Sequence, residues 1–195
     1  VADGYLALLA HNPQLTGQFL IAMPNLADPY FFHTVTYMCE HSPIGAMGLI
    51  INRPTELTLG ELAEQLDIEI TEAEMMHTPI YQGGPVQTDR GFVLHQPLGD
   101  WDNSMQVTQD ICLTMSQDIL EAIGQGLGPD KYLIMLGYAG WGEGQVEEEL
   151  VANAWLNGPA DTPIIFDTPA ESRWTAAAAH LGVELNLLSN DMGHA

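Results

Sequence analysis

The stretch from Gly137 to Leu150, which reads GYAGWGEGQVEEEL, constrains the fold of this chain more than any other. An apolar run from Tyr132 to Leu136 leads into it and predicts a strand, whereas the glutamates at 147–149 predict a helix that leaves it. Glycine inside a strand or helix costs stability unless the backbone needs unusual angles or a close approach. The glycines at 140, 142 and 144 therefore predict a specially shaped turn between a strand and a helix.

Short apolar segments alternate with amphipathic segments along the rest of the chain. Their patterns predict strands at 19–23, 34–41, 48–51, 80–82, 91–95, within 106–115, near 155 and at 163–167. They predict helices at 59–66, after a Ser116 cap, from Thr168 to Gly182 and at 185–188. Two of these helices begin with the spacing of a capping box, Thr58 with Glu61 and Thr168 with Glu171.

The size and composition of the chain predict one domain. Its 195 residues are 46% hydrophobic, which is enough for one sizeable core. We expect this domain to cover 15–195, with 1–14 as an N-terminal extension. No apolar run is long enough to span a membrane, the start lacks the basic region of a signal peptide, and Cys39 and Cys112 form no CxxC pair. These features predict a cytoplasmic protein in a reducing compartment.

The net charge of -22 excludes whole classes of partner. Only four residues are basic, against 26 acids. A protein that binds DNA without sequence preference makes about 6–10 phosphate contacts through Lys and Arg, more than this chain owns. We therefore expect no direct binding to nucleic acid or to anionic membranes, and we interpret the acidity as a solvated surface.

The glycine-rich stretch does not match a nucleotide-binding loop. It has no Gly-Lys-Ser/Thr ending, and a GxGxxG pattern read from Gly142 fails at Glu147. Glutamates at these positions would repel a phosphate while stabilising the start of the helix. The stretch predicts a structural turn or a peptide-binding edge, and no cofactor is expected.

Cys39 and His41 form a second candidate site. If the strand at 34–41 reaches back to His33, period two places these three residues on one face. The cysteine and histidine could then form a thiolate pair or half a metal site. The alternative is that Cys39 is a small buried hydrophobe, and this is favoured because no HExxH or CxxC pattern supports a metal.

Arg53, which follows Asn52, and Arg90 are candidate binding residues because cations are scarce in this chain. An arginine can hold a carboxylate or phosphate through two parallel hydrogen bonds, so each could bind a small anion. The alternative is that each arginine pairs with one of the many acids. Trp141 lies between glycines, so we expect it to be partly exposed and able to anchor a partner.

Several separated segments together resemble the AlgH/YqgE family, and the match covers about 15–195. The segments are FLIAMP at 19–24, CEH at 39–41, GAMGLIINRP at 45–54, GGP at 83–85, GFVLH at 91–95, GYAGWG at 137–142 with Gln145 and 147–149, FD at 166–167, RW at 173–174 and GHA at 193–195.

This resemblance implies an α/β fold whose mixed, bifurcated sheet curls into a pseudo-barrel with helices packed outside. It also implies a bacterial cytoplasmic protein with no catalytic residues to carry over. The family takes its name from the regulation of alginate production and is often labelled a transcriptional regulator. Because the charge opposes DNA contact and no basic helix-turn-helix is visible, we expect any such regulation to act through a protein partner.

The leading hypothesis is a regulatory or interaction protein that binds a protein partner or a small anionic ligand. Its predicted binding surface comprises Asn52, Arg53, Gly83, Gly84, Pro85, Arg90, Gly140, Trp141 and Gly142. The alternative is an enzyme or thiol redox sensor that uses Cys39 and His41 with an anion-binding arginine. No GxSxG motif or triad spacing identifies catalytic residues, and we expect no metal. Oligomeric state stays open.

Overall fold

The structure, a computed structural model, describes residues 15–192, where ten strands alternate with helices. The strands are β1 (Gln18–Ala22), β2 (Val35–Ser42), β3 (Gly45–Ile50), β4 (Pro54–Thr58), β5 (Pro79–Gln82), β6 (Val86–Gln96), β7 (Ser104–Gln106), β8 (Cys112–Thr114), β9 (Lys131–Trp141) and β10 (Trp155–Pro159). The α-helices are α1 (Leu59–Gln65), α2 (Asp118–Gly124), α3 (Gln145–Val151), α4 (Thr162–Phe166), α5 (Arg173–His180) and α6 (Leu185–Met192). Short 3₁₀ helices cover Ala73–His77 and Ala170–Ser172.

The strands form one mixed sheet that curls into a half barrel. Its main path runs β10-β1-β2-β3-β9-β6-β8-β7, and every neighbouring pair on this path is antiparallel. Strand β5 adds to β9 in parallel, and β4 pairs with β5, so the sheet divides at β9. The α/β fold with a bifurcated, curled sheet is therefore confirmed.

Strand β9 is where the sheet divides, and glycines make the division possible. On one edge of β9, residues 134–136 pair with β5, whereas residues 139–141 pair with β3. Between them, Gly137 has a φ of +77°, and a Cβ there would lie 2.4 Å from the carbonyl oxygen of Gly84. A Cβ on Gly84 would lie 2.1 Å from the backbone of Tyr138. Only residues without a side chain let these two backbones touch.

The turn predicted at the centre of the chain begins later than expected. The predicted strand and the glutamate-rich helix are confirmed as β9 and α3, but β9 continues through Gly140 to Trp141. The tight turn follows at 142–144, where Gly144 has a φ of +73° at the start of α3. The glycines of this stretch thus serve first to divide the sheet and only then to turn the chain.

Three apolar clusters hold the fold together. The largest fills the interior of the half barrel, where strand residues such as Phe19, Tyr37 and Phe92 meet helices α4, α5 and α6. On the outer face, a second cluster joins α1 and α2 to β5, β6 and β9. The third joins α3 to the opposite half of the sheet through Trp141 and Trp155. Burial of these apolar side chains is the main force that closes the barrel.

The strand predicted at 163–167 is wrong, because this segment is helix α4. Pro163 lies in the first turn, where its fixed φ favours a helix. Ile164 and Ile165 are both buried against the barrel interior. A short apolar run fits a strand or a buried helical turn equally well, so periodicity could not separate them.

One predicted helix start is confirmed and two are wrong. The Thr58 hydroxyl accepts a hydrogen bond from the Glu61 amide at 3.3 Å, as the capping box of α1 requires. Ser116 instead donates to Asp118, and α2 begins after Gln117. The Thr168 hydroxyl donates to the Pro163 carbonyl, so a 3₁₀ turn intervenes before α5 begins at Arg173.

None of the helices in residues 15–192 is long and apolar enough to cross a membrane.

Candidate functional site

An open groove of about 610 Å³ lies in the half barrel, on a part of the sheet that α4, α5 and α6 leave uncovered. Strands β2, β3, β6, β7, β8 and β9 supply most of its lining. The lining residues are Glu40, Ala46, Met47, Val86, Arg90, Phe92, Met105, Leu113, Met115, Tyr138, Gly140 and Trp141. Barrel mouths of this size are a common location for ligand sites.

The lining of the groove is mostly apolar and rich in methionine. Met47, Met105 and Met115 come from different segments of the sheet, and each packs half-buried on the apolar interior of the barrel. Methionine is unbranched and polarizable, so it adapts to ligands of varied shape. The sequence analysis missed these residues, because they meet only after the sheet has curled.

Arg90 lies at the rim of the groove without an acidic partner. Its guanidinium carbon lies 5.3 Å from the centre of the Phe92 ring, and it donates hydrogen bonds to Gln87 at 3.3 Å and to the sulfur of Met115 at 3.6 Å. No carboxylate in residues 15–192 lies within 4.0 Å of it. An exposed cation over an apolar floor is a natural binding point for an anion.

The other basic residues are occupied within the fold. Lys131 pairs with Asp167 at 2.5 Å. Arg53 donates to the carbonyl of Phe32, and the buried Arg173 donates to the carbonyls of Ile51 and Thr168. The alternative that Arg53 and Arg90 pair with acids is therefore not observed in the described part of the chain.

Gly140 and Trp141 line the groove, but Trp141 is not the exposed anchor that the sequence predicts. Only 6% of Trp141 is exposed, and its indole N–H donates to Glu149 at 3.1 Å. Gly140 is exposed, and a Cβ there would lie 3.5 Å from the Tyr138 ring and 3.9 Å from Val86. The missing side chain at Gly140 therefore keeps this wall of the groove open, and Gly142, two residues further on, is exposed in the turn that follows β9.

The Gly83-Gly84-Pro85 loop meets the glycines of β9, although not as an exposed surface. Gly83 donates to Leu136 at 2.8 Å and accepts from Ile50 at 2.8 Å, while Gly84 packs against Tyr138. Both glycines are buried, and only Pro85 is partly exposed. This loop supports the wall of the groove without lining it.

Asn52 and Arg53 lie apart from the groove and hold a different loop. The Asn52 side chain accepts from the amide of Val35 and donates to the carbonyl of His33, both at 2.9 Å. Arg53 donates to the neighbouring Phe32 carbonyl. The surface predicted from the sequence thus divides into two regions, one at the groove and one beneath this loop.

His33 lies in the loop that Asn52 holds, and not on the face of β2. Its φ is +53°, β2 begins only at Val35, and its ring stacks between Phe32 and Trp174 at 3.7 and 3.8 Å. Burial, with a smaller contribution from Arg53, lowers the pKa of His33. The prediction that His33 shares a face with Cys39 and His41 is therefore wrong.

Cys39 and His41 have separate roles in the fold. Cys39 sits at a bulge of β2, is 3% exposed, and donates to the Tyr37 carbonyl at 3.7 Å. Burial, followed by the charge of Glu40, raises the pKa of its thiol. His41 accepts from the Leu15 amide at 2.9 Å through Nδ1, which leaves Nε2 to donate to Glu147 at 2.6 Å. This geometry disfavours a thiolate pair.

The described residues form other pockets besides the groove. A smaller pocket of about 210 Å³ lies on the outer face between α1 and α2, and none of the residues predicted for binding lines it. No group of three or more His, Cys, Asp and Glu side chains in residues 15–192 is placed to hold a metal ion.

Comparison with known proteins identifies the family. The AlgH-like family model matches residues 19–186. The chain belongs to the AlgH-like family. A UPF0301 protein of Thioalkalivibrio sulfidiphilus is 57% identical over 184 residues, which cover 94% of this chain and 98% of the relative. A UPF0301 protein of Burkholderia vietnamiensis is 52% identical over 183 residues, which cover 93% and 95%.

Solved structures agree with this AlgH-like assignment. The solution structure of the AlgH protein from Pseudomonas aeruginosa matches with a TM-score of 0.78 and 53% identity, covering 91% of this chain and 94% of that protein. A crystal structure from Corynebacterium diphtheriae matches with a TM-score of 0.71 at 17% identity, covering 91% and 92%, and so supports the fold alone. The family resemblance seen in the sequence motifs is thus confirmed.

Proposed function

We propose that this AlgH-like protein acts by binding, as a cytoplasmic regulatory or interaction protein whose site is the groove. The observation that carries this proposal is the meeting of an apolar, methionine-rich floor with the unpaired guanidinium of Arg90. Three residues of the surface predicted from the sequence, Arg90, Gly140 and Trp141, line this groove. Its occupant is an apolar small ligand or an apolar side chain of a partner protein.

The size and the chemistry of the groove both support binding. Its volume of about 610 Å³ falls within the range of about 300–1,000 Å³ that is typical of small-molecule sites. A ligand that covers the half-exposed Met47, Met105 and Met115 removes apolar surface from water, which contributes about 25 cal/mol per Å² before the costs of association. This gain supports binding in an open groove, without a deep, closed cavity.

Any effect on transcription is proposed to pass through a protein partner. The net charge of -22 opposes contact with the phosphate backbone, and no cluster of cations offsets it, because the chain has only four Lys and Arg residues. Binding to duplex DNA at physiological salt, without another protein present, would contradict this part of the proposal.

The alternative of an enzyme or thiol redox sensor gains no support from the geometry. A reactive cysteine needs an accessible thiolate, and the surroundings of Cys39 favour the protonated, buried thiol. Both ring nitrogens of His41 already have partners within the fold.

The test uses methionine methyl groups as reporters of where a ligand binds. The protein is labelled with ¹³C at the methionine methyl carbons and titrated with N-phenyl-1-naphthylamine, a neutral apolar probe, while methyl shifts are followed by NMR. We expect the shifts of Met47, Met105 and Met115 to change, and those of the buried Met38 and Met135, which do not line the groove, to stay in place.

A matched pair of variants decides whether the probe enters the groove. Gly140→Leu fills the groove, whereas Gly91→Leu places the same side chain in open space at the smaller outer pocket. We expect Gly140→Leu alone to weaken probe binding, by at least fivefold. Equal binding by a folded Gly140→Leu variant and the native protein would refute the groove as the site.

A further inference from the structure

Resting on the proposed function of the groove, we infer that its ligand is a small amphiphilic carboxylate. The alkyl chain lies on the methionine floor, and the carboxylate is bound by the guanidinium of Arg90.

Arg90 supplies the charge complementarity that selects a carboxylate. Its neighbours are the ring of Phe92, the sulfur of Met115 and the neutral side chain of Gln87. The guanidinium therefore keeps donors that no charged group satisfies within residues 15–192. A carboxylate fits its planar fork with two parallel hydrogen bonds, which neutral head groups cannot reproduce.

Tyr138 offers a second donor on the same side of the groove. Its ring meets Phe92 edge-on, with 5.9 Å between the ring centres, so Phe92 lies in contact with both Arg90 and Tyr138. No hydrogen bond engages the Tyr138 hydroxyl within the described residues. A phenol in the same groove adds a neutral donor for an anion bound there.

Glu40 fixes the orientation of such a ligand. It lines the groove from β2, and two strands, β3 and β9, separate β2 from the β6 strand that carries Arg90. With neighbouring strands about 4.8 Å apart, the two charges lie on opposite sides of the floor. A carboxylate near Glu40 would be repelled, so the head group lies at Arg90 and the alkyl chain runs toward Met47.

The charge of the whole protein opposes the binding of a carboxylate. A net charge of -22 repels anions in general, so the long-range field disfavours a carboxylate relative to a neutral or cationic amphiphile. At physiological ionic strength, salt screens the effect of charges that lie more than about 8 Å away. A preference for the carboxylate can therefore arise only from a local contact. Tighter binding of a carboxylate than of a neutral ligand would therefore reflect the contact with Arg90 and not the net charge of the protein.

The experiment compares octanoate with octan-1-ol, which share an alkyl chain and differ in head-group charge. Each is titrated into the methionine-labelled native protein below its aggregation limit, and dissociation constants are taken from the methyl shifts of Met47 and Met105, which line the groove and not the smaller outer pocket. We expect octanoate to bind roughly tenfold more tightly, as for a charge-assisted hydrogen bond. The difference should shrink as salt is raised.

Two variants remove the same unit of charge at different places. Arg90→Gln should reduce octanoate binding to the level of octanol and leave octanol binding unchanged. Lys131→Gln removes an exposed lysine that pairs with Asp167 outside the groove, and should preserve the preference for octanoate.

The outcomes separate this inference from the proposed function. If the neutral naphthylamine occupies the groove but octanoate binds no better than octanol, or Arg90→Gln keeps the preference, the carboxylate inference is refuted and the groove survives. If neither the naphthylamine nor octanoate shifts the groove methionines, both fail. Octanoate that binds through Arg90 in preference to octanol would establish the ligand class.

Discussion

Nε2 of His41 lies 2.6 Å from Oε1 of Glu147, so a single contact joins the end of β2 to the first turn of α3. The opposite ring nitrogen accepts from the Leu15 amide at 2.9 Å. Because that nitrogen must be unprotonated to accept, the proton lies on Nε2 and is donated to the carboxylate. His41 therefore links three segments that are distant in sequence.

Removing either side chain of this pair should destabilise the protein. His41→Ala leaves the Leu15 amide and Glu147 without a partner, and we expect it to lower the free energy of unfolding by about 1–3 kcal/mol. A double-mutant cycle with Glu147→Ala, measured by urea unfolding, should give a coupling of at least about 0.5 kcal/mol. Additive effects of the two substitutions would contradict the contact.

Glu149 should matter through its acceptor oxygens and not through its charge. It accepts from the indoles of Trp141 at 3.1 Å and Trp155 at 3.0 Å, both of which are buried. Glu149→Ala leaves two buried donors unsatisfied, and we expect a loss of about 2–4 kcal/mol. Glu149→Gln keeps one oxygen and should cost less than half as much. Thermal unfolding followed by tryptophan fluorescence tests this order, and equal losses would refute it.

Cys39 should be unreactive in the native protein, and its buried thiol should lower the free energy of unfolding as the pH becomes alkaline. Because burial raises the pKa of its thiol, the folded state keeps the proton that the unfolded chain releases above about pH 8.5. The stabilisation is complete below that pH and is lost as pH rises above it. In a Cys112→Ala background, we expect a thiol reagent to react with Cys39 only at the rate of unfolding. Rapid reaction at neutral pH would instead support the redox alternative.

His95 should make the protein sensitive to mild acid. It is fully buried, its Nε2 accepts from the Thr114 hydroxyl at 2.7 Å, and burial lowers its pKa. Below about pH 6.5, the unfolded chain therefore binds a proton at this histidine and the folded state does not. The free energy of unfolding falls by up to about 1.4 kcal/mol per pH unit as the pH drops. We expect His95→Gln to flatten the dependence of urea midpoints between pH 7 and 5.5. An unchanged slope would contradict this assignment.

Gly84 should tolerate no side chain, in contrast to Gly91. A Cβ on Gly84 would lie 2.1 Å from the Tyr138 backbone, whereas nothing lies within 4 Å of a Cβ on Gly91. We expect Gly84→Ala to cost about 3 kcal/mol or more, since backbone cannot move aside cheaply. Gly91→Ala should change stability by less than about 0.5 kcal/mol. Thermal unfolding of the two variants decides, and similar midpoints would refute the close approach.

Local signals in the sequence determined the elements that they encode directly. The strands at 19–23 and 132–136 follow from apolar runs, because the pattern of side chains along a strand is local. The start of helix α1 follows from Thr58 and Glu61, because a hydrogen bond between residues three apart caps it. The separated motifs also sufficed for the family and, through it, for the curled α/β fold.

Only the tertiary structure decided which residues form the groove. The glycines of β9 predict a special backbone, yet the sequence does not say that they divide a sheet, because the partner is the distant Gly84. The sequence gives no reason to prefer Arg53 or Arg90 as the binding residue. In the structure, Arg53 donates a hydrogen bond to a backbone carbonyl, whereas Arg90 lines the groove. Met47 on β3 meets Met105 on β7 and Met115 beside β8 only when the sheet curls, since β3 lies far from these strands along the chain. Local physics sets strands and helices, and long-range pairing places their side chains together.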